Sequence, residues 1–438
     1  MTGPSRYNVP RQWLPFLGPK LGLATGLYHL AADPDDFDLH QVFPTVTAVA
    51  RLLGHQHALN PRAGGAGTRL EDAMNRAMGE LLERYAFFAY DGTSQVLLSY
   101  RELIERGCRP VPFENLVPFS REQYRSESFP YAEFTEATRA VWVEGTNLLD
   151  GLPSFVPGQL VSVSYFHSTE EIPQCFYPTS SGCAVATSVD EALLKGLLEL
   201  IERDAVMIRW YARLPPPMLD LDPTDLMGEP PGLQTHRLEI RFHDLTLDGD
   251  VPVVGVTCVE RTGRPCFFIL SAASALDVSA AARKALVESG QGRPFVKSMA
   301  STSEALLKGA AFCDFESNLR FYAEPSNARY VEWFLQNKSL STRKFPTAIQ
   351  VKDPLKSLTA LLDCCADMAV TPIAFDMTTP EMQDSGLFAC RVFVPELVPL
   401  CVPSAPFLGH VRLARFIASS KQQGKFESIP EWVPHPFP

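Results

Sequence analysis

Two pairs of glutamates with the same spacing stand out in the sequence. Glu80 and Glu83 lie in the segment ELLERY, and Glu199 and Glu202 lie in the segment ELIERD. On a helix, residues three apart share a face, so each pair predicts two carboxylates one turn apart. If two such helices face each other, four carboxylates converge and repel one another unless cations are present. Mg²⁺ would suit this cluster, because it takes oxygen ligands and usually bridges to substrate phosphates.

The segments that carry these pairs, residues 71–90 and 190–211, read as two copies of one amphipathic helix. When their first glutamates are aligned, Arg84 of the first copy falls on Arg203 of the second. Both arginines directly follow a glutamate and could pair with phosphate oxygens. The alternative is an ordinary surface helix with Glu–Arg pairs, and the equivalence of the copies favours an inward-facing site over it.

A weaker third copy covers residues 278–295, where Glu288 replaces the first glutamate and Gln291 the second. Segments 251–260 and 265–274 before it predict two strands of a hairpin. A run of small residues precedes each copy, at 62–68, 180–187 and 270–275. We therefore predict a repeat of strands, small-residue loop and helix, in an α/β (α+β) sandwich whose three equivalent helices meet at one place.

The first small-residue run, RAGGAGT, contains Gly65, Gly67 and Thr68. Glycines there would let backbone N–H groups approach an anion at the start of the helix. The run lacks the GK[ST] order of a P-loop, so a nucleotide site here would be of another kind.

Composition limits the classes of function. The net charge of −11 over 438 residues argues against nucleic-acid binding, which needs clustered basic residues. No window approaches the roughly 20 apolar residues of a membrane span, and the N-terminus has no apolar signal region. The ten cysteines include no CxxC pair, which favours reduced cysteines over a zinc site. We expect a cytoplasmic protein without membrane or nucleic-acid contacts.

The blocks ELLERY, GLLELIERDA and ExxQ, in this order and at these separations, resemble the YcaO family, and RVFVPELVPL resembles its usual late strand. The resemblance implies an N-terminal segment at 1–49 and an ATP-binding cyclodehydratase domain at 50–430. We place an insert at about 98–175 within that domain and a tail at 431–438.

The family binds ATP with Mg²⁺ held by paired glutamates, and it phosphorylates a backbone amide oxygen of a peptide. The resemblance therefore implies that Mg²⁺ is held by Glu80, Glu83, Glu199 and Glu202. It also implies that the nucleotide is surrounded by Arg84, Arg203, Glu288, Gln291 and Arg293. Many relatives have a lysine where this chain has Ala66 and a serine where it has Arg76, so we expect Arg76 to supply the missing charge.

The sequence finishes on PHPFP, which matches the PxPxP tail of family members that make azolines. A proline-rich segment loses little entropy on ordering, because it is already restricted when unfolded. Our hypothesis is that the tail threads toward the ATP site, where the carboxylate of Pro438 helps to move protons. The alternative is a packing strut or docking peptide.

The implied reaction is cyclodehydration of Cys, Ser or Thr in a ribosomally made precursor peptide to thiazolines or (methyl)oxazolines. About 50 residues precede the resemblance, too few for a leader-binding domain, so we expect a separate ThiF-like or activating-enzyme-like partner. A flavin-dependent azoline dehydrogenase could act later, and we expect a homodimer within a larger complex. Thioamide formation, amidine formation and a non-catalytic scaffold remain alternatives, against which the tail and the complete glutamate pairs argue.

Overall fold

The computed structural model describes residues 9–32, 36–54, 62–92, 94–165, 169, 171–227, 238–260, 268–301, 315–345, 353–422 and 433–437. Within these residues the strands are β1 (Ala24–Leu30), β2 (His40–Val46), β3 (Gly65–Gly67), β4 (Gln95–Ser99), β5 (Arg139–Asn147), β6 (Pro153–Pro157), β7 (Cys183–Ala186), β8 (Met218–Leu219), β9 (Leu238–Asp244), β10 (Val253–Glu260), β11 (Phe268–Ser274), β12 (Ile373–Asp376) and β13 (Phe388–Phe393). The α-helices of the same residues are α1 (Val49–Leu52), α2 (Leu70–Ala89), α3 (Tyr100–Glu105), α4 (Arg121–Tyr124), α5 (Gly158–Val161), α6 (Val189–Tyr211), α7 (Pro223–Met227), α8 (Val278–Ser301), α9 (Phe315–Ala323), α10 (Glu332–Leu335), α11 (Pro354–Asp367), α12 (Pro380–Asp384) and α13 (Val411–Gln422).

The strands form three antiparallel sheets. β1–β2–β3 make a three-stranded sheet, β11–β10–β9–β8 a four-stranded sheet, and β4–β5–β12–β13–β7, with β6 on β5, a six-stranded sheet. The strands predicted before the third helix are β10 and β11, which pair along their lengths. Helices packed between these sheets confirm the predicted α/β sandwich.

The three repeated helices each bridge two of the sheets. Helix α2 packs on β2 and β3 and also on β7, α6 packs on β7 and β13 and also on β11, and α8 packs on β10 and β11 and also on β3. The three-stranded, six-stranded and four-stranded sheets are thereby linked in a ring by α2, α6 and α8. This arrangement brings the three helices together, as the repeat predicts.

The prediction of loops in the small-residue runs was wrong in part, because each run contains residues of a strand beside its connecting residues. Gly65–Gly67 form β3, Cys183–Ala186 form β7, and Phe268–Ser274 form β11, and each strand is followed almost directly by its helix. Small side chains let strand and helix approach closely. A Cβ on Gly65, for example, would lie 2.2 Å from the carbonyl oxygen of Ala73 in α2.

Helix α6 shows why the sequence forms this frame. Its predicted apolar positions are all buried: Leu193, Leu197, Leu200 and Ile201. The hydroxyl of Ser188 caps its start by accepting a hydrogen bond from the backbone of Glu191, which satisfies an amide that the helix leaves free.

Residues 98–175, where we placed an insert, contribute β5 and β6 to the six-stranded sheet. There β5 pairs with β4, β6 and β12. The aromatic side chains of this region pack around buried Phe134, Trp142 and Phe176. None of the described helices is long and apolar enough to cross a membrane.

Candidate nucleotide and metal site

The first glutamate pair lies on α2. The backbone N–H of Gly64 donates to Oε2 of Glu80 over 2.9 Å, and Nη2 of Arg84 donates to Oε1 over 3.2 Å. Glu83 makes no hydrogen bond or ion pair with any described residue. Burial, and then the negative charge of Glu199 on α6, raise the pKa of Glu83 to about 8. Helices α2 and α6 therefore bring these two carboxyl groups close enough to interact.

The second pair repeats the contacts of the first. The backbone N–H of Gly182 donates to Oε2 of Glu199 over 3.1 Å, and Nη2 of Arg203 donates to Oε1 over 3.2 Å. Each of the first two small-residue runs thus directs one N–H at the first glutamate of the helix that follows it. The two arginines lie one turn later in their helices than the glutamates with which they pair.

Glu202 has a richer set of partners than any other glutamate of the repeat. Its side chain is 2% exposed and accepts a hydrogen bond from the backbone of Ser274 over 3.2 Å. Nη1 of Arg203 lies 3.4 Å from Oε1, and Nζ of Lys284 lies 3.5 Å from Oε2. Through Glu202, helix α6 meets both β11 and α8.

The third helix contributes Glu288 and Gln291 to the same place. Burial raises the pKa of Glu288, and the charges of Lys284 and Arg76 oppose that rise. Gln291 lies next to Gly64, since a Cβ on Gly64 would be 3.1 Å from Nε2 of Gln291. Helix α8 therefore faces α2 as well as α6.

A basic residue precedes the first glutamate of each helix by four positions: Arg76, Lys195 and Lys284. Nη1 of Arg76 donates to the carbonyl of Ala66 over 2.7 Å, and all three side chains belong to exposed residues. Sequence reasoning assigned a role to Arg76 alone. The signal for the other two was present, because the helix alignment places all three at one position.

Arg293 is placed against the N-terminal segment. Its side chain is 1% exposed, and its Nε donates to Oδ1 of Asp36 over 2.8 Å. Nζ of Lys297 donates to the same oxygen over 2.9 Å. The structure thus ties Arg293 into a buried ion pair, whereas the resemblance implies a place around the nucleotide.

Gly65 and Gly67 lie where strand β3 packs on α2. A Cβ on Gly67 would be 3.0 Å from the Cβ of Asp72. Thr68 is exposed and connects β3 to the helix. In these contacts the two glycines serve the close packing of strand on helix.

The tail is anchored in the core. The hydroxyl of Tyr322 donates to the carbonyl of Pro434 over 2.5 Å, and Nε2 of His435 lies 2.9 Å from the carbonyl oxygen of Cys401. Val433 and His435 are both buried. Burial lowers the pKa of His435 to about 4, so this imidazole is neutral at pH 7.

The tail also reaches the glutamate cluster. The ring centroid of Phe437 lies 4.5 Å from Cζ of Arg203, the arginine that bridges Glu199 and Glu202. Pro438, to which the sequence analysis gives a catalytic role, lies outside the described residues.

The cluster fits a hard cation that arrives with a phosphate ligand. Among the described residues, no group of three or more His, Cys, Asp or Glu side chains is placed to hold a metal ion unaided. Glu83 nevertheless keeps an unpaired carboxyl beside a like charge, and Nε of Arg203 is buried without a hydrogen-bond partner in the described chain. Mg²⁺ is usually bound by one or two carboxylates together with phosphate oxygens, so these residues fit an Mg²⁺–nucleotide pair.

A protein-family model matches most of the chain. The family model described as YcaO cyclodehydratase, ATP- and Mg²⁺-binding, matches residues 64–398. An uncharacterized protein of Methanothermobacter thermautotrophicus is 28% identical over 156 residues, which are 35% of this chain and 40% of that protein.

Three solved structures share the fold. A heterocyclase in complex with substrate and cofactor has a TM-score of 0.70 at 19% identity, over 96% of this chain and 55% of that chain. The YcaO protein of Methanopyrus kandleri bound with AMPPCP and Mg²⁺ has a TM-score of 0.59 at 18% identity, over 85% of this chain and 86% of that one. The E. coli microcin synthetase McbBCD complex has a TM-score of 0.60 at 13% identity, over 94% and 96%. The chain spans 55% of the length of the heterocyclase chain, and its match to the Methanothermobacter thermautotrophicus protein covers 40% of that protein.

Proposed function

The chain belongs to the YcaO family, and we propose that it catalyses ATP-dependent cyclodehydration of Cys, Ser or Thr residues in a ribosomally made peptide. The observation that carries the proposal is the meeting of Glu83 and Glu199: burial, and then the charge of Glu199, raise the pKa of Glu83 to about 8. Two facing carboxylates repel each other when both are ionised, and a cation bound between them would remove that repulsion. Support also comes from the family model, whose description names both ATP and Mg²⁺.

In this proposal the carboxylates that hold Mg²⁺ are Glu80, Glu83, Glu199 and Glu202. The groups around the nucleotide are Gly65, Gly67, Thr68, Arg76, Arg84, Arg203, Glu288, Gln291 and Arg293. Bound Mg²⁺ would neutralise charge on the phosphates, as in other phosphoryl transfers. Arginines add fixed positive charge that needs no reorganisation during the reaction. The AMPPCP and Mg²⁺ bound to the Methanopyrus kandleri protein support this assignment by analogy.

The chemistry activates an amide oxygen. The thiol or hydroxyl adds to the preceding carbonyl carbon and gives its proton to a base. The former carbonyl oxygen takes the γ-phosphoryl group of ATP and then leaves as phosphate. The amide nitrogen loses its proton as the C=N bond of the azoline forms. A base is needed for each of the two protons, and the carboxylate of Pro438 is our candidate for one of them.

We further propose that the chain works with a ThiF-like partner that binds the leader of the precursor peptide. The heterocyclase that resembles it has a chain of nearly twice the matched length. The E. coli neighbour of matching length belongs to a complex named McbBCD, which also has a structure with pro-MccB17 bound. These facts support a peptide substrate and partner proteins. A flavin-dependent azoline dehydrogenase and a homodimeric arrangement are further parts of the proposal.

Mass spectrometry of the precursor peptide tests this function. The peptide would be incubated with the full chain, the partner protein and Mg²⁺-ATP, and ADP and phosphate would be measured in the same reaction. We expect the loss of one water for each ring formed. Omission of Mg²⁺ and the variant Glu83→Gln are the controls, and neither should lose water from the peptide.

A peptide that gains mass from sulfur would move the protein to thioamide formation and overturn the azoline proposal. Failure of Mg²⁺-ATP to raise the melting temperature of the protein would favour the non-catalytic scaffold.

A further inference from the structure

The described end of the tail places an aromatic ring on a site arginine. Cζ of the Arg203 guanidinium lies over the face of the Phe437 ring, 4.5 Å from the ring centroid, and Phe437 is only 2% exposed. Nη2 of the same guanidinium lies 3.2 Å from Glu199, and Nη1 lies 3.4 Å from Glu202. The guanidinium of Arg203 thus contacts one aromatic ring and two carboxylates at once.

The equivalent arginine of α2 lacks this cover. Arg84 pairs with Glu80 at 3.2 Å, and its side chain is 34% exposed against 18% for Arg203. Among the cation–π contacts of the described residues, none involves Arg84. The helix repeat therefore does not itself require a ring, and within the described residues the tail adds one to the arginine of α6 and not to that of α2.

The tail holds Phe437 firmly in this place. The carbonyl of Pro434 accepts a hydrogen bond from Tyr322, and His435 contacts the carbonyl oxygen of Cys401. Proline on either side of Phe437 restricts the backbone further. A ring presented by an ordered segment costs less entropy to hold against the arginine than a mobile one would.

We propose that Phe437 is a positioning residue that fixes the Arg203 guanidinium in the plane where it meets Glu199 and Glu202. Because the ring excludes water from one face, it strengthens the charge-assisted contacts at the edge. Docking of the tail then favours the arrangement of Glu199 and Glu202 around Arg203, and that arrangement favours docking of the tail. This inference rests on the proposed function, since the coupled geometry is that of the Mg²⁺–nucleotide site.

Coupling of this kind is reciprocal. If the docked ring favours nucleotide binding, nucleotide binding must favour the docked ring by the same factor. Hydrogen exchange at the amides of Val433, His435 and Phe437 should therefore slow when Mg²⁺-ATP is added to the wild-type protein.

The affinity of the full chain for Mg²⁺-ATP, measured by calorimetry, tests the proposal. Phe437→Leu keeps an apolar side chain but removes the aromatic face, and we expect about tenfold weaker binding. Phe437→Tyr keeps that face and should recover most of the affinity. Phe416→Leu, the matched control, removes a ring beside another arginine, Arg412, 5.4 Å away. This control variant should bind as the wild type does.

A double-mutant cycle separates positioning from simple packing. In an Arg203→Lys background, Phe437→Leu should cost far less affinity than in the wild type, because the planar guanidinium is gone. An unchanged cost in that background would overturn the proposal and leave Phe437 as a packing residue.

The remaining outcomes distinguish failure of the positioning role of Phe437 from failure of the proposed function. If the wild type binds Mg²⁺-ATP and Phe437→Leu binds it equally well, the positioning role is refuted and the proposed function stands. If the wild type does not bind Mg²⁺-ATP, the proposed function fails and the positioning role fails with it.

Discussion

The glutamate pairs of α2 and α6 share one frame and differ in their neighbours. Glu80 and Glu199 each accept a backbone N–H from a small-residue run and an arginine from the next turn. Glu202 is 2% exposed and satisfied by β11, α8 and Arg203. Glu83, at the same position of α2, has no such partner among the described residues, and its pKa is raised to about 8 by burial and by Glu199.

The difference shows that the helix repeat determines where a carboxylate lies. The neighbouring groups determine whether that carboxylate is paired. Helix α6 lies between the six-stranded and the four-stranded sheets, where Ser274 and Lys284 reach its second glutamate. Helix α2 lies between the three-stranded and the six-stranded sheets, where the charge of Lys195 on α6 lowers the pKa of Glu83 but forms no ion pair with it among the described residues. Glu202 is therefore held by three groups of the protein, whereas Glu83 has no hydrogen-bond or ion-pair partner in the described part of the chain.

The largest expected effect is on stability. Glu202→Ala leaves Ser274, Lys284 and Arg203 without their shared partner, so we expect it to lower the free energy of unfolding by about 3 kcal/mol. Glu83→Ala removes a carboxyl that gains no partner in the protein alone and should cost less than about 1 kcal/mol. Urea denaturation without nucleotide compares the two. Equal losses would contradict the difference between the pairs.

The pH dependence of stability should follow Glu83. Its pKa rises on folding from 4.5 to about 8, so between these values the folded state binds more protons than the unfolded state. Stability without nucleotide should therefore fall as pH rises through this window. In Glu83→Gln the fall should be smaller, and in the exposed control Glu71→Gln it should persist. Urea midpoints at several pH values measure it, and an identical slope in Glu83→Gln would refute the assignment.

The basic residues four positions before the first glutamates of α2 and α6 should behave alike in the two helices. The expected effect of replacing them is smaller. Arg76→Gln and Lys195→Gln each remove one exposed positive charge near the carboxylates. We expect about threefold to fivefold weaker Mg²⁺-ATP binding for each, with less effect at high salt because exposed charges are screened. Arg101→Gln, which breaks an exposed ion pair with Glu136, is the matched control and should bind normally. A loss confined to one helix would break the equivalence.

The smallest expected effect concerns the tail, which touches α6 and Arg203. The pKa of His435 falls from 6.5 to about 4 on folding, chiefly through burial. Between these values the unfolded state binds more protons, so docking should weaken as pH falls from 6.5 toward 4. Protection of the Phe437 amide from hydrogen exchange should drop in that window. His435→Gln cannot gain the charge, and pH-dependent protection in that variant would contradict this cause.

Several features followed from local sequence alone. The three helices, the strands β10 and β11 and the equivalence of Glu80 with Glu199 depend on periodicity and spacing, which act over a few turns of chain. The family could be identified from the sequence for the same reason, because its characteristic blocks are short segments that occur in a fixed order. The pattern of small residues in the sequence did not distinguish a loop from a closely packed strand, because glycine and alanine occur in both. The runs that contain Gly65 and Ala184 were therefore predicted as loops, although Gly65–Gly67 and Cys183–Ala186 are strands.

Only the tertiary structure decided which charges are satisfied. Arg293 meets Asp36 across 257 residues of chain, and Glu202 meets the backbone of Ser274 across 72. The tail brings Phe437 onto Arg203, although nothing in either local sequence indicates the other. Ionisation and partner choice depend on distance in space and on exclusion of water, and both are set when the sheets and helices pack. The sequence determined which side chains could form the site, and the packing determined that Glu202 is held by the protein while Glu83 has no partner among the described residues.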